Sequence, residues 1–367
     1  MLSLFLGSAV LMWGKPEIRK KRRQRAELKR TFPRGIVIVA TAALLVGGSA
    51  VALGAARARD ASTTRNPRVG VVVVNTRLGY QGVAGAGTGI VLTSSGEVLT
   101  NNHVIHGATS IRVTEVSTGK TYPATVLGYS VSKDIAVLQL RDAHGLSTAS
   151  IGGSDGLRAG DQVTAVGNAG GGGTLSVVRG RIDALGRSIA VSDESGASSR
   201  LTGLIETSAR LEPGDSGGPL LSHGRVIGID AAASSGFAFR SSGPGFAIPI
   251  DTAIAISEQV EAGQRSATVH IGPTAFLGVS LGPSDSYSQA AQGAIVEAVV
   301  PSSPADSAGL GADDVITSFG GHIVSSPSRL QRLVLQVSPG ASMRLTWVDP
   351  YGYRRGATVR MVAGPPQ

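Results

Sequence analysis

The feature that most constrains this fold is a series of short segments rich in Val and Ile between residues 69 and 250. Most run for four to seven residues and end at Gly, Ser or Asp, as in GIVLT, SIRVT, DIAVLQL, RVIGIDA and GFAIPI. Segments of this kind, separated by turn residues, are typical of β-strands. Because helical periodicity is almost absent between them, the series predicts an all-β domain, most simply one barrel or a pair.

The first clear helix follows this series, in DTAIAISEQVEAG at residues 251–263. Asp251 is in position to be its N-cap, apolar residues recur on one face, and Gly263 is in position to end it. We expect this helix to close a first domain spanning residues 69–263.

A second β-rich unit is expected at residues 275–365, after a linker at residues 264–274. Its strand-like runs alternate with two helical segments, SPADSAGL and PSRLQRLVLQV. A hairpin that turns at residues 349–352 completes it.

The basic charge of the chain is concentrated in the N-terminal residues 1–34. Residues 15–34 hold ten Lys or Arg and two Glu, a local charge of +8 out of +9 for the whole chain. The next 22 residues, 35–56, carry no charge and would span about 33 Å as a helix. This pattern predicts one transmembrane helix with a cytoplasmic N-terminus, and residues 57–68 would tether an extracytoplasmic domain.

Other interpretations of this basic, apolar start are less favoured. A nucleic-acid-binding arm or an anionic-lipid patch would not need so long an apolar run, so no nucleic acid is expected as a partner. A cleaved signal peptide fits the small residues of SAVALGAARA, although the length of the run favours a retained anchor. The chain has no cysteine, so neither disulfides nor thiolate metal sites contribute.

A candidate nucleophile lies in EPGDSGGPL, residues 212–220, where Ser216 stands among three glycines. Such a turn is either a flexible loop or a means of bringing backbone N–H groups close to a reacting atom. Serine is a poor nucleophile without an adjacent base, so the second interpretation requires a base elsewhere in the chain.

His103 in LTNNHVI is the best candidate base, because it follows a short strand where polar residues give way to apolar ones. Asp134 in SVSKDIAVLQL is the best candidate to orient the imidazole, since it opens a strand that is apolar on both faces. The pair His103 and His106 also allows a metal interpretation. No third ligand follows at a suitable spacing, so neither a metal nor another cofactor is expected.

The blocks TNNHVI, KDIAVLQL, PGDSGGPL, RVIGIDA and GFAIPI, in this order, resemble the HtrA/DegP group of trypsin-like serine proteases. Farther on, FLGVSL, VVPSSPADSAGL and DDVITSFGG resemble the PDZ domain of that group. The resemblance runs from about residue 70 to the C-terminus. It is strongest to the membrane-anchored forms from actinobacteria, mycobacteria included.

The resemblance implies a mainly β fold, with a chymotrypsin-like double β-barrel and a C-terminal PDZ domain. These would follow the N-terminal transmembrane helix predicted above. It implies a catalytic triad of His103, Asp134 and Ser216 at the junction of two six-stranded barrels. The amide N–H groups of Gly214 and Ser216 would form the oxyanion hole.

The same resemblance implies a substrate pocket formed by Arg210, Ile229, Asp230 and Ala231. The family usually has a small residue where this chain has Arg210. An arginine aimed inward would favour acidic substrate residues or block the pocket, whereas one aimed outward would be a surface charge or a partner of Asp215. The outward orientation is preferred.

Two further regions carry alternatives. Phe276, Leu277, Gly278 and Val279 would form the PDZ loop that binds a peptide carboxylate, or the apolar residues among them are simply core. The glycine-rich residues 167–180 correspond to a family region that switches between inactive and active arrangements, or they form a passive surface loop.

These features predict a membrane-anchored serine endopeptidase that hydrolyses unfolded or damaged exported proteins in extracytoplasmic quality control under stress. Its partners would be unfolded polypeptides, C-terminal peptides at the PDZ domain and, by resemblance, two further copies in a trimer. The alternative is a PDZ-bearing chaperone or scaffold with vestigial proteolysis.

Overall fold

The computed structural model describes residues 66–192, 198–231, 244–282 and 292–367. The predicted cytoplasmic segment and the predicted transmembrane helix, residues 35–56, lie outside these ranges. Within them, no helix has both the length and the apolar character needed to cross a bilayer.

The first half of the protease region is a ring of six antiparallel strands, paired in the order β5-β4-β1-β2-β3-β6, with β6 pairing back onto β5. The short helix α1 lies between β3 and β4. These elements are β1 (Val71–Leu78), β2 (Val83–Val91), β3 (Glu97–Thr100), α1 (Asn102–Ile105), β4 (Ser110–Glu115), β5 (Thr121–Ser130) and β6 (Ile135–Leu140).

The second half is a closed six-stranded barrel with the strand order β10-β11-β12-β9-β8-β7. The helix α2 follows it. These elements are β7 (Gln162–Gly167), β8 (Ser176–Ser192), β9 (Ser198–Thr207), β10 (Pro219–Ser222), β11 (Arg225–Asp230), β12 (Gly245–Pro249) and α2 (Ile250–Glu261). The predicted pair of six-stranded barrels is therefore confirmed.

Strand β1 shows why the apolar runs are continuous. Val71 and Val73 pack in a core shared with the second barrel and α2, whereas Val72 and Val74 pack in the core of the first barrel. Successive side chains of a strand point to opposite faces, so a strand buried on both faces needs apolar residues at every position. Strand β6 follows the same rule, as the sequence predicted.

The prediction that Asp251 is the N-cap of α2 is wrong. The helix begins one residue earlier than Asp251, at Ile250, after Pro249, and no side chain caps it. The Asp251 carboxylate instead accepts hydrogen bonds from the amide and the hydroxyl of Ser154. An acidic residue in the first turn has the same sequence pattern as a cap, and here the nearby loop determines its role. Gly263, with φ of 65°, follows the end of the helix as expected.

Part of the segment expected to be a linker has its own structure. Residues His270–Ile271 form β13, which pairs with β5 and adds a seventh strand to the first sheet.

The C-terminal domain contains one six-stranded sheet, one two-stranded sheet and two helices around a single apolar core. Serine side chains cap both helices: Ser303 accepts from the amide of Asp306, and Ser326 accepts from the amide of Arg329. The elements are β14 (Thr274–Phe276), β15 (Val279–Leu281), β16 (Ala294–Val299), α3 (Pro304–Ala308), β17 (Val315–Phe319), β18 (His322–Ile323), α4 (Pro327–Leu335), β19 (Ser342–Val348), β20 (Arg354–Arg360) and β21 (Val362–Gly364).

Candidate active site

The loop that carries Ser216 lies at the junction of the two barrels. It precedes β10 of the second barrel, yet two of its carbonyls bind Thr88 on β2 of the first. The amide of Thr88 donates to the Ser216 oxygen (2.8 Å), and the Thr88 hydroxyl donates to the Gly214 oxygen (2.7 Å). Ser216 is 4% exposed. The nucleophile loop is therefore fixed by contacts from both barrels.

The glycines of this loop are required by both conformation and space. Gly214 has φ of 101° and Gly217 has φ of 85°, a region that favours glycine. A Cβ atom at Gly214 would lie 2.2 Å from the Asn168 oxygen, and one at Gly217 would lie 2.1 Å from the Thr88 oxygen. The loop is a tightly packed turn, which argues against the interpretation of this stretch as a flexible loop.

His103 and Asp134 form a pair with two hydrogen bonds. The backbone amide of His103 donates to Oδ1 of Asp134 at 2.9 Å, and its Nδ1 lies 2.8 Å from Oδ2. With Nδ1–H donating to the carboxylate, Nε2 is left as the basic nitrogen of the neutral ring. The structure thus joins the predicted base to the predicted orienting acid.

The electrostatics of this pair favour a charged imidazole. Burial lowers the pKa of His103, but the negative charge of Asp134 and the hydrogen bond to it raise the pKa. The net shift is upward from 6.5. Such a pair would stabilise the imidazolium that forms if the ring takes a proton from a serine hydroxyl.

Asn101 holds Asp134 in an unusual conformation. Asp134 has φ of 53°, which is uncommon for a residue other than glycine. The fully buried Asn101 side chain donates to the Asp134 backbone oxygen at 2.9 Å. No role was predicted for Asn101 from the sequence, where it is the first of two consecutive asparagines before His103.

Backbone hydrogen bonds fix the two peptide groups whose N–H groups are predicted to form the oxyanion hole. The Pro213 oxygen accepts from the amide of Gly170 at 2.8 Å, and the Asp215 oxygen accepts from the amide of Gly218 at 2.9 Å. The C=O and N–H of a trans peptide point in opposite directions. The N–H groups of Gly214 and Ser216 therefore point away from these partners.

The glycine-rich residues 167–180 contact the nucleophile loop through Gly170. They contain one turn of 3-10 helix, Ala169–Gly171, next to Asn168. The amide of Asn168 donates to the Thr88 hydroxyl at 2.9 Å, and its side-chain oxygen accepts from Gly173 at 2.6 Å. Thr88 and Asn168 are further organising residues that the sequence analysis missed, because each acts across the barrel junction.

Three of the four predicted pocket residues lie beside the nucleophile loop. Ile229, Asp230 and Ala231 are buried, and Asp230 exchanges backbone hydrogen bonds with Gly217 (2.9 Å) and Gly218 (2.7 Å). Residues 232–243, which follow Ala231, lie outside the described ranges.

Arg210 differs from the other three because it is exposed, which agrees with the outward orientation. The Asp215 carboxylate accepts from the amide of Glu212 (2.9 Å) and the hydroxyl of Ser176 (3.4 Å). The described structure shows no ion pair between Arg210 and Asp215.

Two buried carboxyl groups lie near each other behind the nucleophile. Burial raises the pKa of Asp230 well above its usual range, and the charge of Asp215 adds to this. Burial also raises the pKa of Asp215. Among the described residues neither side-chain oxygen of Asp230 has a hydrogen-bond partner. Ionisation of Asp215 and Asp230 at the same time is therefore unfavourable.

The predicted carboxylate loop joins β14 to β15 in the C-terminal domain. Leu277 is buried in the core, and its oxygen accepts from the amide of Ala305 at 2.9 Å. Gly278 has φ of 88°, and a Cβ atom there would lie 2.1 Å from the Cβ of Ser303. Phe276 stacks on Tyr80 of the first barrel at 5.2 Å between ring centroids. Leu277 is thus a core residue. The loop turns at Gly278 in a conformation that favours glycine.

Comparison with known proteins agrees with this architecture. Residues 87–229 match the trypsin-like peptidase domain, and residues 275–348 match the PDZ domain. The fold and the site therefore define a trypsin-like peptidase followed by a PDZ domain.

Several named serine proteases are similar over most of the chain. HhoA of Synechocystis sp. is 35% identical over 274 residues, 72% of this chain and 67% of its own length. PepD of Mycobacterium tuberculosis is 33% identical, over 80% of this chain and 63% of its own length. A protein of Chlamydia pneumoniae, named as a DegP-like periplasmic serine endoprotease, is 38% identical, over 69% of this chain and 50% of its own length. The chain thus spans between half and two thirds of the length of these relatives, and it belongs to the HtrA/DegP family of serine proteases.

The His103 and Asp134 pair generates a pH prediction. We expect kcat/KM for a peptide substrate to rise with pH through an apparent pKa above 6.5. His103 must be neutral to act as a base, and the charge of Asp134 stabilises its protonated form.

The same pair generates a mutational prediction. Asp134→Asn should lower kcat by on the order of 10⁴-fold. Asp142→Asn is the matched control, because Asp142 also has positive φ and flanks β6, but is exposed. An acid limb at or below 6.5, or a full rate for Asp134→Asn, would contradict the assignment.

The geometry of Gly214 generates a second prediction. Gly214→Ala should lower kcat/KM by about 10²- to 10³-fold, the loss typical of one oxyanion donor, because a methyl group would displace the amide. Gly311→Ala in the C-terminal domain is the control, since Gly311 has no positive φ and has open space at its Cβ position. Equal rates for the two variants in a peptide-hydrolysis assay would refute a role for the Gly214 amide.

Proposed function

We propose that this chain is an extracytoplasmic serine endopeptidase that cleaves unfolded or damaged exported proteins through an acyl-enzyme. The observation that carries the proposal is the doubly hydrogen-bonded pair of His103 and Asp134, on the barrel whose Thr88 binds the loop of Ser216. Family membership and the trypsin-like match over residues 87–229 support it.

In the first step, the Ser216 hydroxyl attacks the carbonyl carbon of the scissile peptide bond, and Nε2 of His103 takes its proton. Asp134 keeps the imidazole in the required tautomer and stabilises the resulting positive charge. The pair is already in place, so little reorganisation is needed during the reaction.

The attack moves negative charge onto the carbonyl oxygen of the substrate. The amide groups of Gly214 and Ser216 would donate to this oxygen, since the neighbouring carbonyls are held by Gly170 and Gly218 on the opposite side. When the intermediate collapses, His103 returns its proton to the leaving amine. Water, activated by the same imidazole, then hydrolyses the ester on Ser216.

The PDZ domain would bind C-terminal peptides of substrates. Strand β15 begins at Val279, the last of the predicted loop residues Phe276, Leu277, Gly278 and Val279, and lies at the edge of its sheet in the described strand order. An extended peptide adds to such an edge, and loop amides capture its carboxylate.

Location and assembly belong to the same proposal. The basic residues 15–34 followed by the uncharged residues 35–56 support a single membrane anchor with a cytoplasmic N-terminus. Two relatives named as periplasmic proteases support an extracytoplasmic protease region. Trimeric assembly is proposed by family resemblance alone.

The decisive test of the proposal is the loss of one hydroxyl. We expect the purified full chain to cleave casein and to react with a fluorophosphonate probe that mass spectrometry maps to Ser216. Ser216→Ala should abolish both, whereas Ser147→Ala, at an exposed serine, should change neither.

A chaperone with vestigial proteolysis would give a different result. The wild-type chain would suppress aggregation of an unfolded protein without cutting it, and Ser216→Ala would behave identically. Casein cleavage that survives in Ser216→Ala would refute the assigned nucleophile.

A further inference from the structure

The residues after the last strand of the PDZ domain pack against the first barrel of the protease region. Pro365 and Pro366 are buried and Gln367 is partly buried. The preceding strand, β21, pairs with β14 in the register Thr274 to Gly364, which fixes the direction in which the segment leaves the PDZ domain. Residues 365–367 are therefore fixed by the pairing of β21 on one side and by packing against the first barrel on the other.

This segment binds both ends of the region that carries the catalytic histidine. The side-chain Nδ2 of Asn102, the first residue of α1, donates to the backbone oxygen of Gln367 at 3.1 Å. The amide of Gly107, two residues beyond the end of α1, donates to the Pro366 oxygen at 2.9 Å. His103 lies between these two contacts.

Tyr129 on β5 anchors the segment from a third side. Its hydroxyl accepts from the amide of Gln367 at 3.2 Å and shares a hydrogen bond with the Thr274 hydroxyl at 3.0 Å. Tyr129 is 1% exposed, and its ring lies 4.9 Å from that of His270 on β13. The anchor is therefore part of a buried cluster.

Helix α1 has little stability of its own. It is four residues long and no side chain caps its N-terminus, whereas isolated helices need many more residues to form. Asn102 is buried, and the described hydrogen bond of its Nδ2 is the one to Gln367. Without residues 365–367, this buried donor would lose that partner.

We propose that residues 365–367 form a clasp that positions His103 for catalysis by holding α1 from both ends. The proposal rests on the proposed function, because it assigns the segment a role in that reaction. Asn102, Gly107 and Tyr129 are then positioning residues, since they act on the imidazole through the backbone of α1 rather than on the substrate.

The test uses two variants of the full chain. Deletion of residues 365–367 should lower kcat for a short peptide substrate by about tenfold and leave KM nearly unchanged, because the defect lies in the base rather than in binding. The apparent pKa of the acid limb of the pH profile should fall toward 6.5. A less constrained His103 makes a weaker hydrogen bond to Asp134, so its protonated form is stabilised less. A purely structural role would not move this limb.

Tyr129→Phe is the milder variant and should lower kcat about threefold to tenfold with the same shift of the acid limb, because it removes the acceptor of the Gln367 amide. Tyr122→Phe is the matched control, because Tyr122 is also a buried tyrosine of β5 and no described hydrogen bond joins its hydroxyl to residues 365–367. Its kcat and pH profile should stay within about twofold of wild type. If the deletion variant does not fold, the comparison of Tyr129→Phe with Tyr122→Phe decides the proposal.

The outcomes separate this proposal from the proposed function. A wild-type chain that neither cleaves peptide nor reacts with a fluorophosphonate would defeat the proposed function itself. An active wild type whose kcat and acid limb are unchanged in the folded deletion variant, or in Tyr129→Phe, would overturn the clasp alone.

Discussion

The candidate active site depends on one buried threonine at the junction of two barrels. The amide of Thr88 binds the oxygen of Ser216, and its hydroxyl both donates to the Gly214 oxygen and accepts from the amide of Asn168. The Thr88 oxygen in turn accepts from the hydroxyl of Thr100, two residues before α1 begins. One side chain and its peptide groups thus connect the nucleophile loop, the glycine-rich segment and the strand that leads to His103. Because these groups are buried, each would be costly to leave unpaired.

The rest of the site is built from short segments with little stability of their own. His103 lies on a single helical turn, Asp134 has a positive φ, and the nucleophile loop turns at glycines. Each is fixed by a contact from elsewhere: Asn101 holds Asp134, Gly170 holds Pro213, and residues 365–367 contact both ends of α1. Loops can carry reactive groups at defined positions only when a rigid scaffold supplies such contacts. The two barrel cores are that scaffold.

The sequence predicted what local patterns determine. The burial of both faces of IAVLQL, the two helices of the C-terminal domain and the hairpin turning at residues 349–352 follow from side-chain period and turn chemistry. The pairing of His103 with Asp134 was predicted from their order and surroundings, together with the resemblance. The interaction of Thr88 with a loop 126 residues away leaves no local signal, and neither does β13, which is two residues long. The role of Asp251 was mistaken because a distant serine, Ser154, decided it.

The central claim is that Thr88 holds the nucleophile loop in its reactive geometry. The most direct test is the second-order rate constant for fluorophosphonate labelling of Ser216 in Thr88→Val, with Thr148→Val at an exposed site as control. Valine keeps the shape of Thr88 but leaves the Gly214 oxygen and the Asn168 amide without their partner, so labelling should slow by about tenfold or more while Thr148→Val reacts as wild type. Labelling of Thr88→Val at the wild-type rate would contradict the account.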